Sequence, residues 1–96
     1  MLASNQRSRL AGLAQTLPDL AQLGKGGASP AFIAQLGRLL GLHELVKLRF
    51  VGFKDSRGDM ARELAEKTGS DLVRVIGNTA IFWKRNPDPE KRKVEL

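Results

Sequence analysis

Apolar positions along the chain follow two periods, and each change of period marks an element. After Ser4, a residue type that caps helices, Leu10, Leu13, Ala14 and Leu17 recur at helical spacing. Pro18 stops this run near Thr16 or Leu17, because the residue before a proline avoids the α region. Residues 19–23 read as a short strand carried by Leu20, Ala21 and Leu23. Gly24-Lys25-Gly26-Gly27 follows as a loop, a stretch that suits positive φ. Ser29-Pro30 then starts a second helix: serine caps, and proline sits where no N–H is needed. Phe32, Ile33, Leu36, Leu39 and Leu40 form its stripe, and Gly41 is its expected end. Residues 43–51 alternate, with Val46, Leu48 and Phe50 on one face and Leu45, Lys47, Arg49 and Val51 on the other. One apolar and one mixed, basic face predict a sheet covered by helices on one side.

Residues 52–57 form a polar connection. Ser56 and Asp59 have the spacing of a capping box, Met60, Ala61, Leu64, Ala65 and Thr68 give a third helical stripe, and Gly69 stops it. Glu63 and Lys67 are spaced for an i,i+4 ion pair. Residues 72–76 and 79–84 are β-rich and flank Gly77-Asn78, the pattern of a hairpin. The expected order is therefore α-β-α-β-α-β-β, in one domain spanning residues 1–85. Residues 86–96 carry two prolines and three charges of each sign, and read as a mobile tail.

Composition narrows the function. The 96 residues fit a single core and include no cysteine, which excludes disulfides, thiolate zinc sites and cysteine nucleophiles and suits a reducing, cytoplasmic setting. The single histidine, His43, excludes a His pair for metal binding, and no apolar run is long enough to span a bilayer. Residues 1–9 are polar and unlike a secretory signal. The net charge is +6, and it is unevenly placed: residues 1–54 hold seven basic and two acidic residues, residues 55–96 nine and eight. A basic excess on the folded first half suits a polyanion, either nucleic acid or an acidic membrane surface.

The loop Gly24, Lys25, Gly26, Gly27 has the makings of a phosphate cradle. Glycines let backbone N–H groups approach closely, the following helix N-terminus adds partial positive charge, and Lys25 adds a full one. A plain strand-to-helix connection explains the same residues equally well. Nucleotide-hydrolase and dinucleotide patterns fail: Asp19 stands where the Walker glycine belongs, and Ser29 where the third dinucleotide glycine belongs. No nucleophile has a base beside it, since His43 is the only imidazole, and Asp55 and Asp59 read as helix-start residues rather than metal ligands. No catalytic residue, metal site or cofactor site is expected. Arg7, Arg38, Lys47 and Arg49, should they converge with Lys25, would make a patch tracking a nucleic-acid backbone. Of the aromatics, Phe32 and Phe50 fall on inner faces, while Phe82 and Trp83 point to opposite sides of the last strand.

In order and spacing these residues resemble a known family. Gln6-Arg7 with Leu10, Leu13-Ala14 and Leu17, the 24–27 loop, His43-Glu44-Leu45-Val46-Lys47-Leu48-Arg49, Thr68-Gly69 and Val73-Arg74-Val75-Ile76-Gly77-Asn78-Thr79 are similar to the bacterial YhbY-type proteins. These are stand-alone members of the CRM (chloroplast splicing and ribosome maturation) RNA-binding domain. The resemblance covers nearly all of residues 5–84. It implies a compact α/β domain with a four-stranded mixed sheet and three helices, similar to the C-terminal domain of bacterial translation initiation factor three. It also implies RNA binding through the Gly-x-x-Gly loop and adjacent basic residues, association with precursors of the large ribosomal subunit, and neither a membrane nor a small-molecule substrate. The last strand departs from the family, reading Phe82-Trp83-Lys84-Arg85 where Leu-Tyr-Arg-Pro is commoner, and position 37 is glycine within a helix. Alternatives are an RNA-binding splicing or translation cofactor and a protein–protein adaptor. A single short domain without a transit peptide speaks against organellar splicing.

Overall fold

The computed structural model describes residues 2–94. Its elements are α1 (Ser4–Ala14), β1 (Ala21–Leu23), α2 (Pro30–His43), β2 (Leu45–Phe50), α3 (Arg57–Thr68), β3 (Asp71–Ile76), β4 (Thr79–Trp83) and a short 3₁₀ turn at Pro89–Lys91. The order α-β-α-β-α-β-β holds. The four strands form one mixed sheet in the order β1-β2-β4-β3, with β1 parallel to β2 and the other pairs antiparallel. Parallel pairing of β1 and β2 requires a crossover, which α2 supplies.

Three local signals act where expected, while the Ser56/Asp59 capping box does not form: Ser56 precedes α3, but its hydroxyl faces Met60 Sδ at 3.6 Å and Asp59 pairs with Arg62. Ser29 Oγ accepts the Phe32 N–H at 3.2 Å and Pro30 opens α2. Gly69 closes α3 at φ +67°, and the Ser70 N–H reaches back to the Ala65 carbonyl at 2.9 Å. A Cβ on Gly69 would sit 3.5 Å from Lys84 Nζ, which itself donates to the Thr68 carbonyl at 3.0 Å. Gly69→Ala is therefore expected to cost about 1 kcal/mol, read as a fall of roughly 4–8 °C in thermal midpoint. An unchanged midpoint would contradict the cap. In the hairpin, Gly77 has φ +57° and Asn78 does not have positive φ. Positive φ is thus needed only at the first turn position, which is why the order Gly-Asn serves here.

The sheet buries both faces, not one. Val46, Leu48 and Phe50 of β2 pack with Ala80 and Phe82 of β4 beneath α2 and α3, through Leu36, Leu40, Ala61 and Leu64. On the reverse face α1 lays Leu10, Ala11 and Ala14 over Leu45, Val73, Ile81 and Trp83. A register shift between Leu72 and Arg74 keeps Leu72 and Val75 on the α2/α3 side and drives Val73 into the α1 side. Leu45, expected on a mixed outer face, is covered by α1, whereas Arg49 on the same face is exposed. So α1 shields only part of that face.

Helix α1 differs from its sequence pattern at both ends. Ser4 is the first helical residue rather than the cap: Ala3 precedes the helix, and its N–H is taken by Gln6 Oε1 at 2.9 Å. The helix stops at Ala14, ahead of the proline. Leu17 N–H then bonds Ala14 O and Thr16 Oγ1 bonds Leu13 O, a turn that leads into β1 and leaves Leu13 and Leu17 exposed.

Helix α2 runs through Gly41 to His43, and Glu44 ends it at φ +62°. Glu44 is fully buried. Its carboxylate accepts the backbone N–H groups of Asn86, Lys93 and Val94. Residues 86–94, expected as part of a mobile tail, turn back over the domain and are pinned there, with Val94 against the α1 core. The physical reason is the buried carboxylate, which needs donors that only this segment supplies. Residues 95 and 96 of that expected tail lie outside the described residues.

Candidate nucleic-acid interface

Residues 24–27 form a closed turn, with the Gly27 N–H donating to the Gly24 carbonyl at 3.1 Å. Gly26 has φ +102° and Gly27 φ +62°, two successive conformations that side-chain-bearing residues rarely adopt. Lys25 and Gly26 are exposed at the tip, and an added Cβ on Gly24 or Gly26 would meet nothing within 4 Å. The turn is therefore open to solvent. It leads directly into the N-terminus of the 14-residue helix α2, whose peptide dipoles place partial positive charge behind it.

Strand register determines what surrounds the turn. Leu23 at the end of β1 pairs with Phe50 at the end of β2, and the Val51 N–H donates to Leu23 O at 2.8 Å. The Phe50 N–H donates to Asn78 O at 2.7 Å in the β3–β4 turn. Three connections thus gather at one end of the sheet: 24–29, 51–56 and 77–78. Arg57 ties two of them, donating to the Gly52 carbonyl at 3.1 Å and the Gly77 carbonyl at 3.2 Å. The Cβ position of Gly27 lies 3.8 Å from Met60 Cε, so the turn backs onto the first turns of α3.

Of the basic residues expected to converge, the structure brings two to this end. Lys25 is at the tip of the turn, and Arg49 is exposed on the part of the sheet that α1 leaves open, in register with Gln22 and Thr79. Lys47 is half-buried one row back, its Nζ 3.4 Å from the Leu17 carbonyl. Arg38 is exposed on α2, about 12 Å along the helix from Pro30. Arg7 is engaged inside the domain: its guanidinium donates to the carbonyls of Leu72 at 3.4 Å and Leu2 at 3.2 Å, fastening α1 to β3.

Sequence reasoning missed Lys54 and Arg57. Lys54 is exposed on the 51–56 connection, and neither it, Lys25 nor Arg49 has an acidic partner among the described residues. The signal was present: basic residues immediately after β2 must share an end with the loop after β1 if the two strands are parallel. The one acidic residue on the three connections is Asp55; Asp59, in the first turn of α3, is paired with Arg62.

No aromatic ring is fully exposed as a platform for base stacking. Phe50, Phe82 and Trp83 are buried, and Phe32 and Phe53 pack half-buried against the core. Trp83 lies under α1 with the Arg85 guanidinium 5.5 Å from its ring centre. The expectation that Phe82 and Trp83 take opposite sides of β4 holds, and each side is a core. Among the described residues no group of three or more potential metal ligands occurs, and no helix is long and apolar enough to cross a membrane. The 24–27 turn with Lys25, Arg49 and Lys54 presents backbone amides and exposed cations, groups suited to holding phosphates.

Comparison with known proteins bears on the chain as a whole. The model of the CRS1/YhbY (CRM) domain matches residues 2–84. The chain is 32% identical to "Probable RNA-binding protein YqeI" of Bacillus subtilis, covering 100% of this chain and 99% of that one. It is 30% identical to "Probable RNA-binding protein PA4753" of Pseudomonas aeruginosa, over 94% of this chain and 88% of the other. The solution structure of SAV1595 from Staphylococcus aureus superposes with a TM-score of 0.82 at 30% identity, covering 99% of this chain and 100% of that one.

Proposed function

The chain belongs to the CRS1/YhbY (CRM) domain family, and from that premise we propose that it is a non-catalytic RNA-binding protein of the cytoplasm that acts on precursors of the large ribosomal subunit. Residues 1–85 are the RNA-binding unit. The observation that carries the proposal is the solvent-open turn at residues 24–27, with two glycines at positive φ, Lys25 at its tip and a helix N-terminus behind it. The Lys25 and Gly26 N–H groups hold the RNA backbone and Lys25 neutralises a phosphate, in the manner of the Gly-x-x-Gly loops of KH domains. Arg49 and Lys54 extend the cationic surface around the same end, with Lys47 and Arg38 at its periphery. The names of YqeI and PA4753 support RNA as the ligand. Contacts to phosphates position an RNA without reading its bases.

Affinity carried by phosphates falls with salt. With three to four phosphates neutralised, log K against log salt has an expected slope of about −2 to −3 on a single-stranded ribosomal RNA fragment. A slope near zero would contradict phosphate-dominated binding. Crosslinking in cells followed by sequencing tests the biological target. The expected result is enrichment of large-subunit ribosomal RNA; crosslinks confined to messenger or intron RNA would overturn the assignment to ribosome assembly.

A further inference from the structure

A groove of about 350 Å³ runs along the free edge of β1, two residues before the turn that holds the backbone in the reading above. Its polar lining is Asp19, Gln22, Gln35 and Arg49, and Leu20 and Ala21 complete it. All four polar side chains are exposed. Asp19 and Arg49 carry opposite charges and share this small groove, yet they form no ion pair; the ion pairs among the described residues are Asp59–Arg62 and Glu63–Lys67. A carboxylate and a guanidinium that face one space without meeting suit a planar ligand with donors and acceptors side by side.

We infer that this groove receives a guanine base, and the inference rests on the RNA-binding reading. Guanine presents N1–H and N2–H together, so a carboxylate can accept two parallel hydrogen bonds from it. Adenine, cytosine and uracil each offer that carboxylate a single donor group. The neighbouring O6 and N7 of guanine accept from an arginine fork. Asp19 and Arg49 therefore fit adjacent edges of one base, while the Gln22 and Gln35 amides serve the sugar edge and the ribose 2′-OH. Gln22 precedes Gly24 by about 7 Å of strand, which brings a base next to the gripped phosphates within reach. The turn holds the chain, and the β1 edge selects the base. Free guanine nucleotides present the same chemistry, so the two sources need separate arms in the test.

The experiment measures fluorescence anisotropy with unstructured oligouridines carrying one central G, A or C, together with guanosine 5′-monophosphate as competitor. The wild-type chain is expected to bind the G oligomer about tenfold more tightly than all-U. Asp19→Asn should lower G-oligomer affinity to the all-U level, while all-U binding becomes slightly tighter as a negative charge leaves the surface. Arg49→Lys keeps the charge but loses the fork, and should also flatten the preference. The monophosphate should compete only at far higher concentration than the oligomer. Equal affinities for all oligomers overturn the guanine groove and leave the phosphate-holding turn intact. Competition by the monophosphate as strong as by the oligomer overturns the RNA-borne source and assigns the groove to free nucleotide. Failure of every oligomer to bind, with the Gly24–Lys25 surface unmodified, overturns both.

Discussion

Glu44→Ala is expected to lower the stability of the domain by about 2–4 kcal/mol and to release residues 86–94. The wild-type carboxylate is fully buried and accepts three backbone N–H groups, from Asn86, Lys93 and Val94. Hydrogen bonds to a charged acceptor contribute about 1.5–3 kcal/mol each, but the freed segment can swing into water and recover part of that, which sets the lower figure. Glu44→Gln keeps the size and one acceptor oxygen, so about half the loss is expected. Urea midpoints give the stability change, and tryptic cleavage after Lys91, Arg92 or Lys93 reports release of the segment. Unchanged midpoints with unchanged protection of the segment would show that Glu44 does not clamp it.

The same group gives the domain an acid limit. Burial works to raise the Glu44 carboxyl, but the N–H donors of Asn86, Lys93 and Val94, with the nearby Arg92 charge, outweigh it and hold the group below its ordinary value of 4.5. The folded state therefore binds this proton less readily than the unfolded chain does. The stabilisation is fully present above pH 4.5 and is lost as the pH falls through the lower folded value. Glu44→Gln should flatten this part of the stability profile. It should leave the profile above pH 6 parallel to that of wild type.

Glu44 also marks the boundary of what the chain pattern reveals. Ser29-Pro30, Gly69 and Gly77-Asn78 act within a few residues of themselves, and each was legible as a cap or turn. The stripes of α2 and α3 were legible for the same reason. The seat of α1 was not, because Leu10, Ala11 and Ala14 could face either side of a sheet, and only the register that places Leu45, Val73, Ile81 and Trp83 together selects one. Nor was the burial of Glu44, a charged residue whose donors lie more than forty positions away. The site divides similarly. Lys25 was visible from its glycine neighbours, whereas Lys54 depends on β1 and β2 being parallel and Arg7 on carbonyls of a distant strand and the N-terminus.

The double variant Gly24→Asp, Lys25→Ala is expected to weaken binding to a ribosomal RNA fragment about 100-fold near physiological salt while the fold persists. It lowers the net charge of +6 by two, once by removing the Lys25 ammonium and once by adding a carboxylate where a phosphate would rest. Each change is worth about 1.4 kcal/mol of binding, and each 1.4 kcal/mol is tenfold. Position 24 suits the test better than position 26. A Cβ at either meets nothing within 4 Å, but Gly26 has φ +102° and an aspartate there would strain the turn, whereas Gly24 lies outside the left-handed region. Loss of binding at position 24 therefore reports on charge and access rather than on a distorted backbone. Two controls separate the surface from the scaffold. Arg38→Ala, far along α2, should change affinity less than threefold. Arg7→Ala should lower the thermal midpoint, because it frees the Leu72 and Leu2 carbonyls, and leave affinity largely intact. If the double variant binds RNA as tightly as wild type, the turn does not hold the backbone; if Arg7→Ala instead abolishes binding in a folded domain, the interface lies on the α1 side of the sheet.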